Sequence, residues 1–293
     1  MNFDRSLDVA AGREVRLSPL VSRVLAPNPG SFTFRGTGVY IVGAGARVAV
    51  IDPGPDIPEH ALALRQALGA RTVSHILVTH THRDHSPAAA ALKAWSGAKT
   101  YGLPLATAAT CGGGAEGMVD EAHDHDFIPD MRVQDGMTIE GDGFVLQAVA
   151  TPGHTANHIC YALGEEGALF SGDHVMGWST SVIAPPDGHM GQYLASLEKL
   201  RTRDERIFYP THGSPIANPR DWLSQLIAHR RLREVQIVEA MRGGESIAGL
   251  VDRLYPDIAP ALRGAASQQV KAHLDHLVEQ GALTRDAGGY SLK

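Results

Sequence analysis

Cysteine is nearly missing: the 293 residues hold two, Cys111 and Cys160. Two thiols cannot build a disulfide framework, so both read as buried or incidental thiols of a reducing compartment. Also missing is any run near the roughly 18 apolar residues of a membrane span. The first residues, MNFDRSLDVAAGREVRL, carry early acids and no apolar h-region, so they do not read as a secretory signal. Nor is there a large charge excess. Lys and Arg number 26 against 32 Asp and Glu, and the net −6 gives no global drive toward nucleic acid or an anionic membrane. A local basic groove stays open. These absences lead us to expect a cytoplasmic protein with no membrane partner. What is present is a hydrophobic fraction of 43% with 20% charge, enough for a soluble chain with a sizeable core. The length suits one large domain, or one domain with a small appendage.

From Ser31 the pattern reads as short strands: SFTF, VYIV (Val39 to Val42) and RVAVID (Arg47 to Asp52), with GAGA as a hairpin turn between the last two. The period then changes. Ala61, Leu64 and Leu68 fall at helical spacing, with Asp56 placed to cap the helix and Gly69 to end it. SHILVTH returns to strand, THTHRDHS is a loop, and SPAAAALKAWSG is a helix with Pro87 near its first turn. Tyr101 to Pro129 reads as glycine-rich and irregular. Strands resume at MTI (Met137 to Ile139), FVLQAVAT, ICYAL and ALFSGD. They are followed by a helix over Gln192 to Leu200 and a strand in RIFYPTHG. Two β-rich halves with interleaved helices predict sheets packed in the middle and helices outside. After Pro219 the character changes to three amphipathic helices and a terminal two-strand hairpin, a small winged-helix-like appendage. The expected division is 1–220 and 221–293.

THTHRDHS carries the chemistry. His80 and His82 stand two apart on a loop, so both imidazoles can face one side, and Asp84 and His85 follow at once. Imidazole nitrogen and carboxylate oxygen are the donors of catalytic zinc sites, which keep one position open for water. A polar turn rarely concentrates them so densely. Four such groups on one tight loop cannot all wrap one tetrahedral ion, which favours two adjacent ions. Three further candidates stand at strand ends: His154 in TPGHT, Asp173 in SGD and His212 in YPTHG, each with a glycine nearby that lets the backbone approach a crowded centre.

H-x-H-x-D-H followed by a separate His, Asp and His, in that order, resembles the metallo-β-lactamase superfamily from Phe32 to Pro219. The resemblance implies a four-layer αββα sandwich. It implies one zinc on His80, His82 and His154, and a second on Asp84, His85 and His212, with Asp173 bridging. It also implies that Asp52, in IDPG, supports the metal-binding histidines from beneath. GHTANHICYALGEEGALFSGDHVMG, YPTHGSPI, AHRRLREVQIVEAM and VKAHLDHLVEQGAL further resemble the lactamase-β-like endoribonuclease branch. Members of that branch carry a C-terminal winged-helix domain and cut single-stranded RNA. Two departures are Thr211, where a glycine usually precedes the last ligand, and Pro87-Ala88, where Gly-Gly is common. Both are expected to reshape the mouth of the site.

The resulting expectation is a dinuclear zinc hydrolase, with iron or manganese also compatible with the donors. A hydroxide bridging the metals is the nucleophile, and Asp84 accepts its hydrogen bond and aims it. The preferred substrate is single-stranded RNA. The alternative is a small-molecule thioester or lactone, as for the hydroxyacylglutathione hydrolases. A β-lactamase ranks lower because those enzymes generally lack the bridging aspartate, and a sulfur dioxygenase ranks lower because it uses fewer of these ligands. A non-catalytic winged-helix binding protein with a structural metal would need only four closed ligands. A homodimer is left open.

Other conspicuous residues have plainer readings. His123 and His125 read as a solvated acidic loop, His158 and His174 as core or supporting partners, and His75 as strand packing. His189, in PPDGHMG, is expected to border the cleft, and Arg83 to pair with an acid or with solvent. AHRRLR puts Arg230 and Arg233 on one helix face that could meet RNA phosphates. Yet from Gln225 onward nine Lys and Arg balance eight acids. The appendage is therefore expected to pack on the catalytic part and form one wall of its cleft.

Overall fold

The computed structural model describes residues 1–105, 123–286 and 289–293. Its first sheet runs, in order across the sheet, β1 (Glu14–Arg16), β2 (Val21–Leu25), β3 (Gly38–Val42), β4 (Arg47–Ile51), β5 (Thr72–Leu77), β6 (Lys99–Gly102) and β7 (Met131–Arg132). Pairing is antiparallel as far as β4 and parallel from there on. Parallel neighbours need a crossover. Helix α1 (Pro58–Leu68) supplies it between β4 and β5, and α2 (Ala88–Ser96) between β5 and β6. The second sheet contains β8 (Thr138–Glu140), β9 (Val145–Ala150), β10 (Ile159–Leu163), β11 (Ala168–Gly172), β12 (Ile207–Pro210) and β13 (Ile216–Ala217), in the order β13-β12-β11-β10-β9-β8. Only β11 and β12 pair in parallel there, across α3 (Met190–Arg201).

The two sheets pack face to face. Tyr40, Val42 and Ile51 from the first meet Leu146, Tyr161 and Phe170 from the second. The outer face of the first sheet, with Val39, Ile41 and Val50, is covered by Leu64 and Leu68 of α1 and Leu92 of α2. The outer face of the second, with Val149, Cys160 and Leu169, is covered by Tyr193, Leu197 and Leu200 of α3. This is the α/β fold in four layers, helix–sheet–sheet–helix. Strand β3, GVYIV, is buried on both faces, which explains a near-continuous apolar run where a half-exposed strand would alternate. Full burial of one such side chain contributes about 1.5–3 kcal/mol.

The C-terminal part comprises α4 (Pro219–Met241), α5 (Ile247–Leu254), α6 (Arg263–Glu279) and the hairpin β14 (Leu283–Asp286) with β15 (Gly289–Leu292). Ser246 caps α5 by accepting from Gly249 N at 3.2 Å. Helix α4 belongs to two cores. Leu223, Leu226 and Ile227 pack against the second sheet's helix layer, whereas Ile237, Ala240 and Met241 join Leu250, Val270 and Leu283 in a separate cluster.

Several local expectations are corrected. SFTF is a turn closed by the Gly30–Phe34 bridge. Asn28 organises it, accepting from Thr33 Oγ1 on its carbonyl and from Thr37 N on Oδ1. Asp56 does not cap α1; the cap position is Ile57, and Pro58 in the first turn has no N–H to satisfy. Strands β1, β2 and β7 carry no clear sequence signal, and β6 begins at Lys99 and ends inside the stretch that reads as irregular. Cys111 and most of that stretch lie outside the described residues.

Candidate metal centre

The chemistry-bearing residues sit where strands end on one edge of the sandwich. Asp52 follows β4, the Thr79–Ser86 loop follows β5, His154 follows β9, Asp173 follows β11, and Thr211 and His212 follow β12. Cross-sheet bonds pin this edge. Tyr40 Oη donates to Pro210 O at 2.6 Å, Tyr161 Oη to Val78 O at 3.0 Å, and Gly38 N to Thr211 O at 2.8 Å.

Three groups of donor atoms, each with its atoms within 4.8 Å of one another, emerge: His80, His82 and His154; Asp84, His85 and His212; and His80, His85 and Asp173. The third shares one residue with each of the others, so Asp173 stands between two half-sites. All seven residues are buried. In the first half-site His80 Nε2 and His82 Nδ1 face each other at 2.9 Å. In the second, His212 Nε2 lies 3.0 Å from Asp84 Oδ2 and 3.3 Å from Asp173 Oδ2.

The donor set fits divalent metal. Three of its buried atoms, His85 Nε2, His154 Nε2 and Asp173 Oδ1, have no hydrogen-bond partner. His85 Nε2 comes within 3.3 Å of Asp84 and 3.5 Å of Asp173 yet is aimed at neither for a hydrogen bond. Leaving such groups unpaired in an interior is costly, and convergent orphan donors are what a cation would satisfy.

The opposite nitrogens are anchored, which fixes ring orientation and the tautomer. His154 Nδ1 donates to Val182 O at 2.6 Å and His212 Nδ1 to Gly36 O at 3.1 Å. His85 Nδ1 donates to Asp52 Oδ2 at 2.9 Å. Asp52 also accepts from Thr79 N at 2.7 Å, Thr79 Oγ1 at 2.8 Å and Thr211 Oγ1 at 3.1 Å. Thr79 Oγ1, its proton committed to Asp52, is left to accept from His80 Nδ1 at 3.1 Å. Thr37 Oγ1 donates to Asp84 Oδ2 at 3.2 Å.

Electrostatics divide the two halves. Burial, reinforced by neighbouring imidazoles, pushes His80 and His82 well below their usual range. Burial also lowers His154 against the pull of Asp173. At His85 burial opposes the charge, but Asp84, Asp173 and Asp52 outweigh it and raise the pKa strongly. At His212 burial is likewise overcome by Asp173 and Asp84, which push it up to about 10. Burial disfavours the Asp84 and Asp173 carboxylates, yet His85 and His212 hold both below the usual range.

A cavity of about 150 Å³ opens onto these residues. His82, Asp84, His154, Asp173 and His212 form its floor. One wall is Phe32, Met176, Trp178 and Val182; the other comes from the C-terminal helices, with Tyr255, Ile258, Leu262 and Ala266. Phe34 stacks on Trp178 at 4.9 Å.

Several expected roles change. Thr211 faces Asp52, and Pro87 lines a different cavity, while Ala88 N bonds back to Gly54 O; neither departure shapes this mouth. His123 is not a solvated residue: its backbone bridges that of His82, and its ring lies 5.1 Å from the His82 ring. His125 is exposed. His189 does not border the cleft; it caps α3 and reaches Glu279 Oε1 at 2.9 Å. Arg230 is fully buried, with its guanidinium 5.2 Å from the Tyr193 ring, and Arg233 lies 4.8 Å over Tyr255. Arg83 is exposed beside the second cavity. His158 Nδ1 meets Thr151 Oγ1 at 2.8 Å, His174 packs 4.6 Å from Tyr193, and His75 packs 5.3 Å from Tyr101. Sequence reasoning does not single out Thr37, Val182 and Gln269, because a threonine, a backbone carbonyl and a glutamine carry no local signal for such roles.

Two family models match the chain: the metallo-beta-lactamase superfamily over residues 32–212 and the beta-lactamase associated winged helix domain over residues 246–289. The beta-lactamase-like protein 2 homolog of Caenorhabditis elegans is 32% identical over 287 residues, which take in 92% of this chain and 87% of that one. An atrochrysone carboxyl ACP thioesterase of Paecilomyces divaricatus is 34% identical over 228 residues, 77% of this chain and 66% of that relative's length. The solved structure of a metallo-beta-lactamase family protein from Thermus thermophilus superposes with a TM-score of 0.77 at 23% identity, covering 95% of this chain and 100% of the other.

Proposed function

We propose a function from one premise: this chain belongs to the metallo-β-lactamase superfamily and is a metal-dependent hydrolase. The reading is a dinuclear hydrolase, with zinc as the expected metal, acting on a thioester or lactone whose acyl part is apolar. His80, His82 and His154 hold one ion, Asp84, His85 and His212 the other, and Asp173 lies between. When bound, such ions supply Lewis acidity that polarises a carbonyl and brings a water pKa from about 16 toward about 7.

The chain's own groups do the rest. Asp84 lines the cavity floor as a carboxylate and would accept a hydrogen bond from the attacking water, which orients it. The apolar walls hold the acyl group and keep bulk water away from the carbonyl.

The observation that carries the substrate class is charge. Phe32, Trp178 and Tyr255 could stack a nucleobase as readily as an aromatic acyl group, so the rings do not decide. Single-stranded RNA needs a cationic groove along its backbone, and no lysine or arginine lines this cavity among the described residues. Residues 106–122 contain neither residue in the sequence. Arg230 is buried and Arg233 is committed to Tyr255, so the two arginines of the helix face that favoured RNA are spent on internal contacts. The relatives named as thioesterases agree with this reading.

The test is turnover by the metal-replete chain of an acetyl thioester, thioesters with longer or aromatic acyl groups, a lactone, a cephalosporin and a single-stranded RNA. His82→Ala serves as the control. We expect thioester turnover, with kcat/KM rising roughly fourfold per added methylene at about 0.8 kcal/mol each until the cavity is full. His82→Ala should lose at least about a hundredfold, as loss of a metal ligand warrants. RNA cleavage without thioester turnover would overturn the substrate class and restore the nuclease reading.

A further inference from the structure

We propose that the C-terminal helices hold the metal centre in register through a three-residue strap, Ser181 to Ile183, with Arg230 and Gln269 as positioning residues. The inference rests on the metal-site reading above and extends it to residues that touch no ligand of the ion.

The strap lies in the long connection, residues 173–189, between β11 and α3, which has no regular structure to stiffen it. Its first two residues make bonds that matter to the site. Ser181 Oγ bridges to the carbonyls of Asp173 and His174, which fixes the backbone that carries the candidate bridging carboxylate. Val182 O accepts from His154 Nδ1 at 2.6 Å, so the Nε2 lone pair points toward the His80 and His82 nitrogens. If this carbonyl shifted, the ring would lose both its tautomer and its aim.

The strap is in turn gripped from the other side. Arg230 Nη2, on α4, donates to Ser181 O at 2.5 Å, and Gln269 Oε1, on α6, accepts from Ile183 N at 3.1 Å. Both gripping residues are buried, Arg230 to 1% exposure. No ion pair among the described residues includes Arg230. Among the described residues its guanidinium meets the Ser181 carbonyl and the Tyr193 ring, and the buried Glu234, one turn along the same face of α4, makes no ion pair with it. A buried cation without a carboxylate is expensive, and an apolar residue of similar length would pack there at lower cost. The guanidinium is thus placed to hold a carbonyl that an apolar residue could not hold. The consequence is a bond path from α4 and α6, through Ser181 and Val182, to Asp173 and His154.

The test measures zinc affinity and stoichiometry, by competition with a chelating dye, in the full chain and in Arg230→Met, Arg230→Lys, Gln269→Leu and His154→Ala. Far-ultraviolet circular dichroism and thermal melting are run on each variant. We expect folded Arg230→Met and Gln269→Leu to bind zinc about 10–100-fold more weakly, the range typical when a ligand's outer support is lost. Arg230→Lys, which can still donate to the Ser181 carbonyl, should recover most of that loss. Gln269→Leu decides the matter if Arg230→Met does not fold. Zinc affinity at the unmodified level in the folded variants, with His154→Ala weakened, overturns the positioning role and leaves the metal site standing. Unchanged zinc binding in His154→Ala overturns the site assignment itself, and the inference with it.

Discussion

Asp52 takes four donors on two oxygens, and through them it reaches both halves of the candidate centre without lying among its convergent donors. Oδ1 accepts the Thr79 amide, while Oδ2 takes the hydroxyls of Thr79 and Thr211 and the Nδ1–H of His85. Through Thr79 Oγ1 the same carboxylate also orients His80. It therefore fixes one imidazole of each half-site. Thr211 adds a donor beneath the centre and is absent from the lining of its mouth. Asp52→Asn keeps the shape but sets an amide N–H₂ against groups that are themselves donors. We expect zinc affinity about 10–100-fold weaker. Thr211→Val, which removes one donor of four, should cost only about 0.5–1.5 kcal/mol of stability. Chelator competition and denaturant melts on the two variants check this, and unaltered zinc affinity in Asp52→Asn would refute the organising role.

Helix α4 shows what spacing reveals and what it hides. Its buried residues Leu223, Leu226, Ile227, Arg230, Glu234 and Ile237 form one stripe at helical spacing, so Arg230 falls on the apolar face. That spacing is readable in the sequence, yet AHRRLR draws attention to charge, and a local charge cluster says nothing about which face is covered. On the same helix His229 is half-buried, and its pKa is pushed down to about 4, first by burial and then by Arg230, Arg233 and His273. The sign follows from linkage. The unfolded chain takes up a proton below about pH 6.5 that the folded imidazole refuses, so this stability is complete above that pH and lost as the pH falls toward about 4. His229→Gln should therefore show a shallower fall in melting temperature between those limits than the unmodified chain; parallel curves would remove the effect. The elements that build the centre are legible for a different reason. The strands before Asp52, His80, His154, Asp173 and His212 are apolar runs, each leads within a few residues to a side chain with metal-type donors, and all but the His80 loop have a glycine close to that residue. The strap 181–183 acts through backbone groups, and its partners lie 49 and 86 residues away. No local pattern encodes contacts of that range.

At the scale of the whole molecule the question is whether 1–220 and 221–293 behave as two units or one. Helix α4 starts at Pro219, supplies three large side chains to the core beside the second sheet, and then continues into the C-terminal cluster. Ala272 of α6 joins the first of those cores as well, and Gln269 and Arg230 hold the strap. Detaching the C-terminal part would bare apolar surface on both sides and leave Ser181 O and Ile183 N without their partners, so partial unfolding is penalised. We expect one calorimetric transition, with calorimetric and van't Hoff enthalpies in agreement. Metal should raise that single transition as a whole. With free zinc at about a thousand times its Kd the linkage stabilises by about 4 kcal/mol, and at about 0.6 kcal/mol/K of unfolding entropy for this length the shift is about 7 °C. Chelation should lower the same peak by that order. Two peaks, of which the chelator moves only one, would mean that the two units fold separately and that the bond path from α4 and α6 carries no thermodynamic coupling to the metal centre.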